Sequence, residues 1–247
     1  ILIFWGLRKK NYLLSLAFLS FGLSFISYHS AKIVVPPIVV LLCALNLKKL
    51  ITIKKQFVVG LVILAFFILI TVLNKDLLGF ARIKQTSIPD EEIVKTQLYK
   101  KTSNKLLGRA QIITNQYFKH FSYDYLFVWG DANPRHSTGA VGEFYKIDLI
   151  FLLAGTAFLI YRLIFKKDTN MLILLAWTFL GPLPAAATSE APHAARAMFM
   201  TGSWHLIAAY GFYCLITLSK NKLVRISLII LCFAGIAFFI RGYLDYY

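Results

Sequence analysis

The chain has 247 residues, 58% of them hydrophobic and only 15% charged, with a mean hydropathy of +0.67. A soluble domain of that composition would leave too much apolar surface in water, so a water-soluble fold is excluded. The formal charge of +16 would ordinarily raise nucleic acid as a partner. Its placement along the chain marks membrane topology instead, and no nucleic-acid partner is expected.

The opening Ile1-Leu2-Ile3-Phe4-Trp5-Gly6 has neither an initiator Met nor a signal-peptide layout and reads as the tail of an earlier membrane helix. The other end, Leu244-Asp245-Tyr246-Tyr247, follows directly on an apolar run, so a piece of a longer protein is expected. Apolar runs that approach or reach the ~20 residues needed to cross a bilayer fall at about 12–28, 33–47, 56–74, 147–165, 170–188, 197–219 and 223–243. Lipid offers backbone amides no partner, so each run is expected to be a helix. The expected fold class is an all-α polytopic membrane protein with about seven transmembrane helices. Residues 1–74 and 147–247 would supply the helices, and 75–146 one long extracytoplasmic loop containing amphipathic helices.

Orientation follows from charge. Arg8-Lys9-Lys10, Lys48-Lys49 with Lys54-Lys55, Lys166-Lys167, and Lys220, Lys222 and Arg225 occupy alternate connections, which the positive-inside rule places in the cytoplasm. Of the carboxylates between the apolar runs only Asp168 shares that side; the others fall in segments assigned outside. Trp129, Tyr145, Trp204, Tyr28 and Tyr243 then sit near outer boundaries, as interfacial aromatics do. Cys43, Cys214 and Cys232 lie inside apolar runs without paired spacing and read as packing residues, not as a disulfide or metal set.

Within 75–146, Pro89-Asp90-Glu91-Glu92 is a helix-start signal, with Pro pre-setting φ and acids at the positive end of the dipole. Leu106, Ala110, Ile113, Tyr117 and Phe121 recur at helical spacing, with Lys105, Arg109 and Lys119 on other faces. That helix is expected either to lie in the outer headgroup layer or to pack on the rest of the protein, with His120 as a surface residue of it. From Phe121 to Glu143, Gly and Pro shape a compact loop. Its Asp131, Asn133, Arg135 and His136 suit sugar hydroxyls or a phosphate, or simply cap turns. One His and one Asp at this spacing do not specify a metal, and neither a metal nor another cofactor is required.

Two short outer connections carry cations beside histidines. His29 and Lys32 precede Pro36-Pro37, which start or kink the second span, and a Lys there often only snorkels. Glu190, His193 and Arg196 lie between the fifth and sixth spans, where Glu190 and Arg196 can equally pair with each other around a solvated His193. Pro182 and Pro184 should break or kink the fifth span. His205, inside the sixth, reads as a hydrogen-bonded interhelical residue. Cations from separate connections on one face call for an anion.

Three stretches resemble the later part of a polyprenyl-phosphate-sugar-dependent glycosyltransferase of the GT-C type. That group includes the dolichyl-phosphate-mannose protein mannosyltransferases and the bacterial aminoarabinose transferases of lipid A. They are Ser27-Tyr28-His29-Ser30-Ala31-Lys32 leading to Pro36, Trp129-Gly130-Asp131-Ala132-Asn133-Pro134-Arg135-His136 ahead of Gly142, and Glu190-Ala191-Pro192-His193-Ala194-Ala195-Arg196 ahead of Gly202. The resemblance implies an active site at the extracytoplasmic face of a membrane, with a lipid-phosphate sugar as donor and a protein, lipid or glycan as acceptor. It also implies a catalytic carboxylate in a first outer loop, expected upstream of Ile1. Arg196, Lys32, His29 and His193 are then the expected phosphate-binding residues, and Asp131, Asn133, Arg135, His136 and Glu190 the expected sugar or acceptor residues. Lys, Ile and Phe usage points to a prokaryotic plasma membrane. A transporter or flippase of anionic lipid-linked substrates, a polymerase or ligase of surface polysaccharide, and a non-catalytic scaffold are the competing expectations. A transporter would place charges at the bilayer midplane.

Overall fold

The computed structural model describes residues 2–9, 12–74, 79 and 84–245; Ile1, Lys10, Tyr246 and Tyr247 lie outside them. It is 76% helix, and the described residues include no strand. The chain divides into two compact units, Ile1–Thr86 and Ser87–Tyr247, so the division falls inside the long segment read from sequence as one loop.

The first unit contains α1 (Leu2–Lys9), α2 (Leu13–Ser27), α3 (Ala31–Leu45), α4 (Leu47–Thr52) and α5 (Lys54–Leu73). Its main pairing is α2 on α5, where Gly22 meets the Phe67 ring and Gly60 the Phe18 ring. The serines of α2 stay satisfied in apolar surroundings by bonding carbonyls. Ser20 and Ser27 donate to Leu16 and Leu23 one turn back, and Ser15 donates across to the Gln56 carbonyl at 3.1 Å. The α3 helix begins at Ala31, so Pro36 and Pro37 lie within it and do not open it.

The second unit contains α6 (Asp90–Lys95), α7 (Gln97–Thr102), α8 (Lys105–Lys119), a π-helical turn (Asp124–Val128), α9 (Asp148–Phe165), α10 (Met171–Leu180), α11 (Leu183–Ala186), α12 (Met198–Leu218) and α13 (Lys222–Asp245). Pro89 caps α6 in extended conformation, as the sequence predicts, and Asn104 caps α8 by accepting from the Leu106 and Leu107 amides. The π-turn, with the Trp129 amide donating to the Asp124 carbonyl at 2.7 Å, was not foreseen in a stretch read as irregular.

Each apolar run forms helix, but the helices differ in reach. Among the described residues, three helices, α5, α9 and α13, are both long and apolar enough to cross a membrane. The α2 and α3 helices have 15 residues each, about 22 Å at 1.5 Å per residue. The fifth run is interrupted: α10 stops at Leu180 and α11 resumes at Leu183 across Gly181-Pro182, as the prolines predict. The most extensive helix pairing in this unit is α9 on α12. A Cβ on Gly155 would strike the Ile207 carbonyl oxygen and one on Gly211 the Phe151 carbonyl oxygen. These two glycines therefore set the approach of the helices. Tyr125, Leu126, Phe127 and Phe144 continue that core, seating the π-turn on Phe151, Met200 and Ile207.

The α8 helix packs by a different face from the predicted stripe. Gly108, Gln116 and His120 are buried, whereas Leu106 is 74% exposed. Tyr117 and Phe121 do reach the end of α10, with the Tyr117 hydroxyl donating to the Phe179 carbonyl at 2.9 Å. His205 bonds within its own helix, to the Thr201 carbonyl at 2.7 Å, and its ring lies on Phe144.

Candidate functional site

Three segments of the second unit meet in one polar layer: the end of α8, the loop from Trp129 to Glu143, and the connection from α11 to α12. The loop closes because the Glu143 and Phe144 amides return to the Tyr125 and Leu126 carbonyls of the π-turn at 3.4 and 2.8 Å. Gly130 starts it at φ +68°, a conformation only glycine adopts cheaply, and a Cβ there would also meet the Val141 carbonyl.

Asp131 is the hub. Its side chain is only 3% exposed, although it sits in a loop. Oδ1 accepts the Asn133 amide at 2.9 Å, and Asn133 in turn accepts the Arg135 amide at 3.0 Å. Both residues therefore do cap turns. Asp131 does more: Oδ2 accepts the Ala194 amide at 2.7 Å, from 63 residues away, and faces His136 Nδ1 at 3.2 Å and His193 Nδ1 at 3.7 Å. A buried carboxylate must find donors of this kind or shed its charge. The imidazoles of His136 and His193 lie beside one another with centroids 4.5 Å apart.

His120 supports this arrangement from below and is fully buried, not a surface residue as expected from the periodicity. Its Nδ1 lies 2.9 Å from the Gln116 carbonyl and its Nε2 3.2 Å from the His193 amide. A carbonyl only accepts and an amide only donates, so the neutral Nδ1–H tautomer satisfies both. Protonating Nε2 would set N–H against N–H. Burial first, and then the nearby His193, push the pKa of His120 below its usual value. Gln116, oriented so that its Nε2 donates to the Ala186 and Thr188 carbonyls at 2.6 and 2.9 Å, ties α8 to α11.

His193 is likewise buried, at 5% exposure, and not a solvated loop residue. Its pKa is lowered, by burial first and then by Arg196. Arg196 donates from Nη1 to Thr188 Oγ1 at 2.8 Å and stands 3.6 Å from Glu190 Oε2. The ion pair read as one option in the sequence is thus present, though Glu190 keeps 63% of its side chain in solvent and the pair is a weak one.

Glu143 was not singled out for a role by sequence reasoning. Its Oε1 accepts the Asp131 amide at 3.0 Å, while burial, with the Asp131 charge adding to it, pushes the Glu143 pKa up to about 7. Glu143, Arg135, His136, Ser137 and Tyr243 line a cavity of about 600 Å³. One signal could have flagged Glu143: a carboxylate directly after Gly142, in a loop otherwise poor in acids.

In the first unit, Lys32 Nζ lies 2.9 Å from His29 Nδ1, and Gly79, at φ +77°, sits against the His29 ring. Of the expected residues, then, Asp131, His136, His193, Glu190 and Arg196 are brought together with His120 and Glu143. Asn133 shapes the loop, Arg135 lines the cavity, and His29 and Lys32 pair in the other unit. No protein-family profile matches the chain, and neither the curated proteins nor the solved structures include a match.

Proposed function

We propose that the chain is part of a polytopic membrane glycosyltransferase. On this reading a sugar passes from a polyprenyl phosphate to an acceptor hydroxyl at the extracytoplasmic face, with 75–146 and the α11–α12 connection on that side. The acceptor oxygen forms a bond to the anomeric carbon as the sugar–phosphate bond breaks. The lipid phosphate leaves with the electron pair, and the hydroxyl proton goes to a carboxylate base.

The observation that carries the reading is the placement of Arg196. Its side chain is 14% exposed, held by Thr188 next to His193 and Asp131, in a connection between apolar helices. A guanidinium fixed in that way presents donors to the phosphate oxygens on which charge develops, and its weak contact with Glu190 yields readily to a dianion. The neighbouring cavity, with Arg135, Ser137, Glu143 and Tyr243 on its walls, offers hydroxyl donors and acceptors at the scale of a sugar ring. Leu106, Leu107 and Phe118, exposed on α8 beside Lys105 and Lys119, suit a helix lying in the headgroup layer.

The test is transfer from radiolabelled polyprenyl-phosphate sugar by the full-length protein in proteoliposomes. Arg196→Ala should lower the rate by roughly 10²–10³-fold, the scale of one lost transition-state donor, with expression and melting unchanged. Arg196→Lys should recover part of it, since a point charge replaces a fork. Wild-type rates for both would refute the phosphate role. Transport has one observation in its favour, the interrupted α10–α11 helix beside the site. Movement of labelled lipid between leaflets without any glycosidic product would establish that reading instead.

A further inference from the structure

We propose that Asp131, His136 and His193 form a binding site for a divalent transition-metal ion, Zn²⁺ foremost, with a coordination position left for a water or substrate oxygen. The inference stands on the geometry of three side chains and does not depend on sugar transfer.

One ligand atom from each of the three residues lies within 4.8 Å of the others. Around a tetrahedral Zn²⁺ with bonds of about 2.0–2.1 Å, neighbouring ligand atoms are separated by roughly 3.3 Å. The Asp131 Oδ2 to His136 Nδ1 distance is 3.2 Å and the Asp131 Oδ2 to His193 Nδ1 distance 3.7 Å, so both carboxylate edges are within a few tenths of an ångström of that value, and the edge between the two imidazoles, within 4.8 Å, closes by rotation of the more exposed His136. Both imidazoles turn Nδ1 toward the same carboxylate oxygen. A hydrogen bond explains one of them. The second, His193 Nδ1, is 3.7 Å from that oxygen and otherwise accepts only a 3.4 Å contact from the Arg196 amide, which is poor bonding for a side chain 5% exposed.

Support around the three residues is what a ligand set requires. Asp131 is oriented by the Ala194 and Asn133 amides, the backbone of His193 by His120, and the Asp131 amide by Glu143. The carboxylate–imidazole–imidazole donor set suits Zn²⁺ and related ions and disfavours Ca²⁺ and Mg²⁺, which take oxygen. Three protein ligands leave the fourth place of a tetrahedron, and His136 also lines the cavity, so that place is reachable from it. Sequence spacing offered Asp131 and His136 alone; the third ligand arrives from another connection.

The experiment is Co²⁺ and Zn²⁺ titration of the purified, chelator-washed protein in detergent, read by the visible Co²⁺ absorption band and by metal content after gel filtration. One equivalent should bind, with the band intensity of a four-coordinate site. His136→Ala, at the exposed rim and therefore the variant expected to keep the fold, should weaken binding at least tenfold. His193→Gln should do the same, and His205→Ala should bind as wild type. No saturable binding by the wild-type protein, or wild-type binding by both His136→Ala and His193→Gln, overturns the proposal. Metal content is measured without a transfer assay, so its failure leaves the transferase reading standing, and binding without transfer counts against that reading alone.

Discussion

The α9–α12 pair and the polar layer above it are built in opposite ways. Between the helices, contact is a matter of shape: Gly155 and Gly211 admit a neighbouring backbone, and Phe151, Leu159 and Ile207 fill the space. In the polar layer, loops are held by buried hydrogen bonds running Glu143–Asp131–Ala194 and Gln116–His120–His193. Shape tolerates any pH and fails on volume. A buried polar network tolerates small changes of volume and fails when one partner or one proton is altered. The same molecule should therefore respond to mutation in two distinct registers.

The largest effect is expected in the helix pair. Gly155→Leu or Gly211→Leu places atoms where a backbone carbonyl already is. The helices must separate, at a cost of about 3 kcal/mol or more. Detergent-solubilised protein should melt far lower or fail to accumulate, and the loss should be the same at pH 5 and pH 8. Normal melting in both variants would mean that the two helices are not in contact at these glycines. Next in size is Asp131→Ala, which strips the hub and leaves the Ala194 and Asn133 amides without an acceptor. A loss of about 1–3 kcal/mol follows, on the scale of leaving buried donors unsatisfied. Asp131→Asn keeps an acceptor oxygen and should cost less. Equal melting of the wild-type and Asp131→Ala proteins would show the network to be incidental.

The contrast also explains what sequence could and could not disclose. Helices are legible because their cause is local: an apolar run has no other way to satisfy its amides in lipid, and Pro182, following Gly181, interrupts the run it sits in. Pro89 marking α6 is legible for the same reason. Asp131, His136, His193, Glu190 and Arg196 are conspicuous as polar groups between apolar runs, but their meeting is a tertiary event with no periodic signal. His120 shows where periodicity misleads. The apolar stripe of α8 pointed one way, while the bonds available to Gln116 and His120 decided which face turned inward. Glu143 carries no periodic signal, because burial, not spacing, gives it its properties.

The smallest effect separates the two regions most cleanly, because the polar layer carries the buried titrating pair Glu143 and His120. Glu143, facing Asp131 and Tyr125 and lining the cavity with Arg135 and His136, has its pKa raised to about 7. The folded state thus holds a proton that the unfolded state releases above its ordinary carboxylate range, so this group's contribution to stability falls as pH rises toward 7. His120, facing His193, Asp131 and Tyr125, has its pKa lowered. The unfolded chain then takes up a proton that the folded state refuses, so its contribution is complete above about pH 6.5 and lost as pH falls below that. The two slopes oppose each other in the acid range. With chelator present, Glu143→Gln removes the first and leaves the second, so the variant's melting temperature should drop more steeply than wild type between pH 7 and pH 5. A difference of about 2–4 °C corresponds to 1 kcal/mol at this chain length. Glycine variants of the helix pair that retain any fold should keep the wild-type pH profile, merely displaced downward. Superimposable profiles for wild type and Glu143→Gln would mean that Glu143 sits in solvent, and that the polar layer is held by the same shape-based contacts as the helices beneath it.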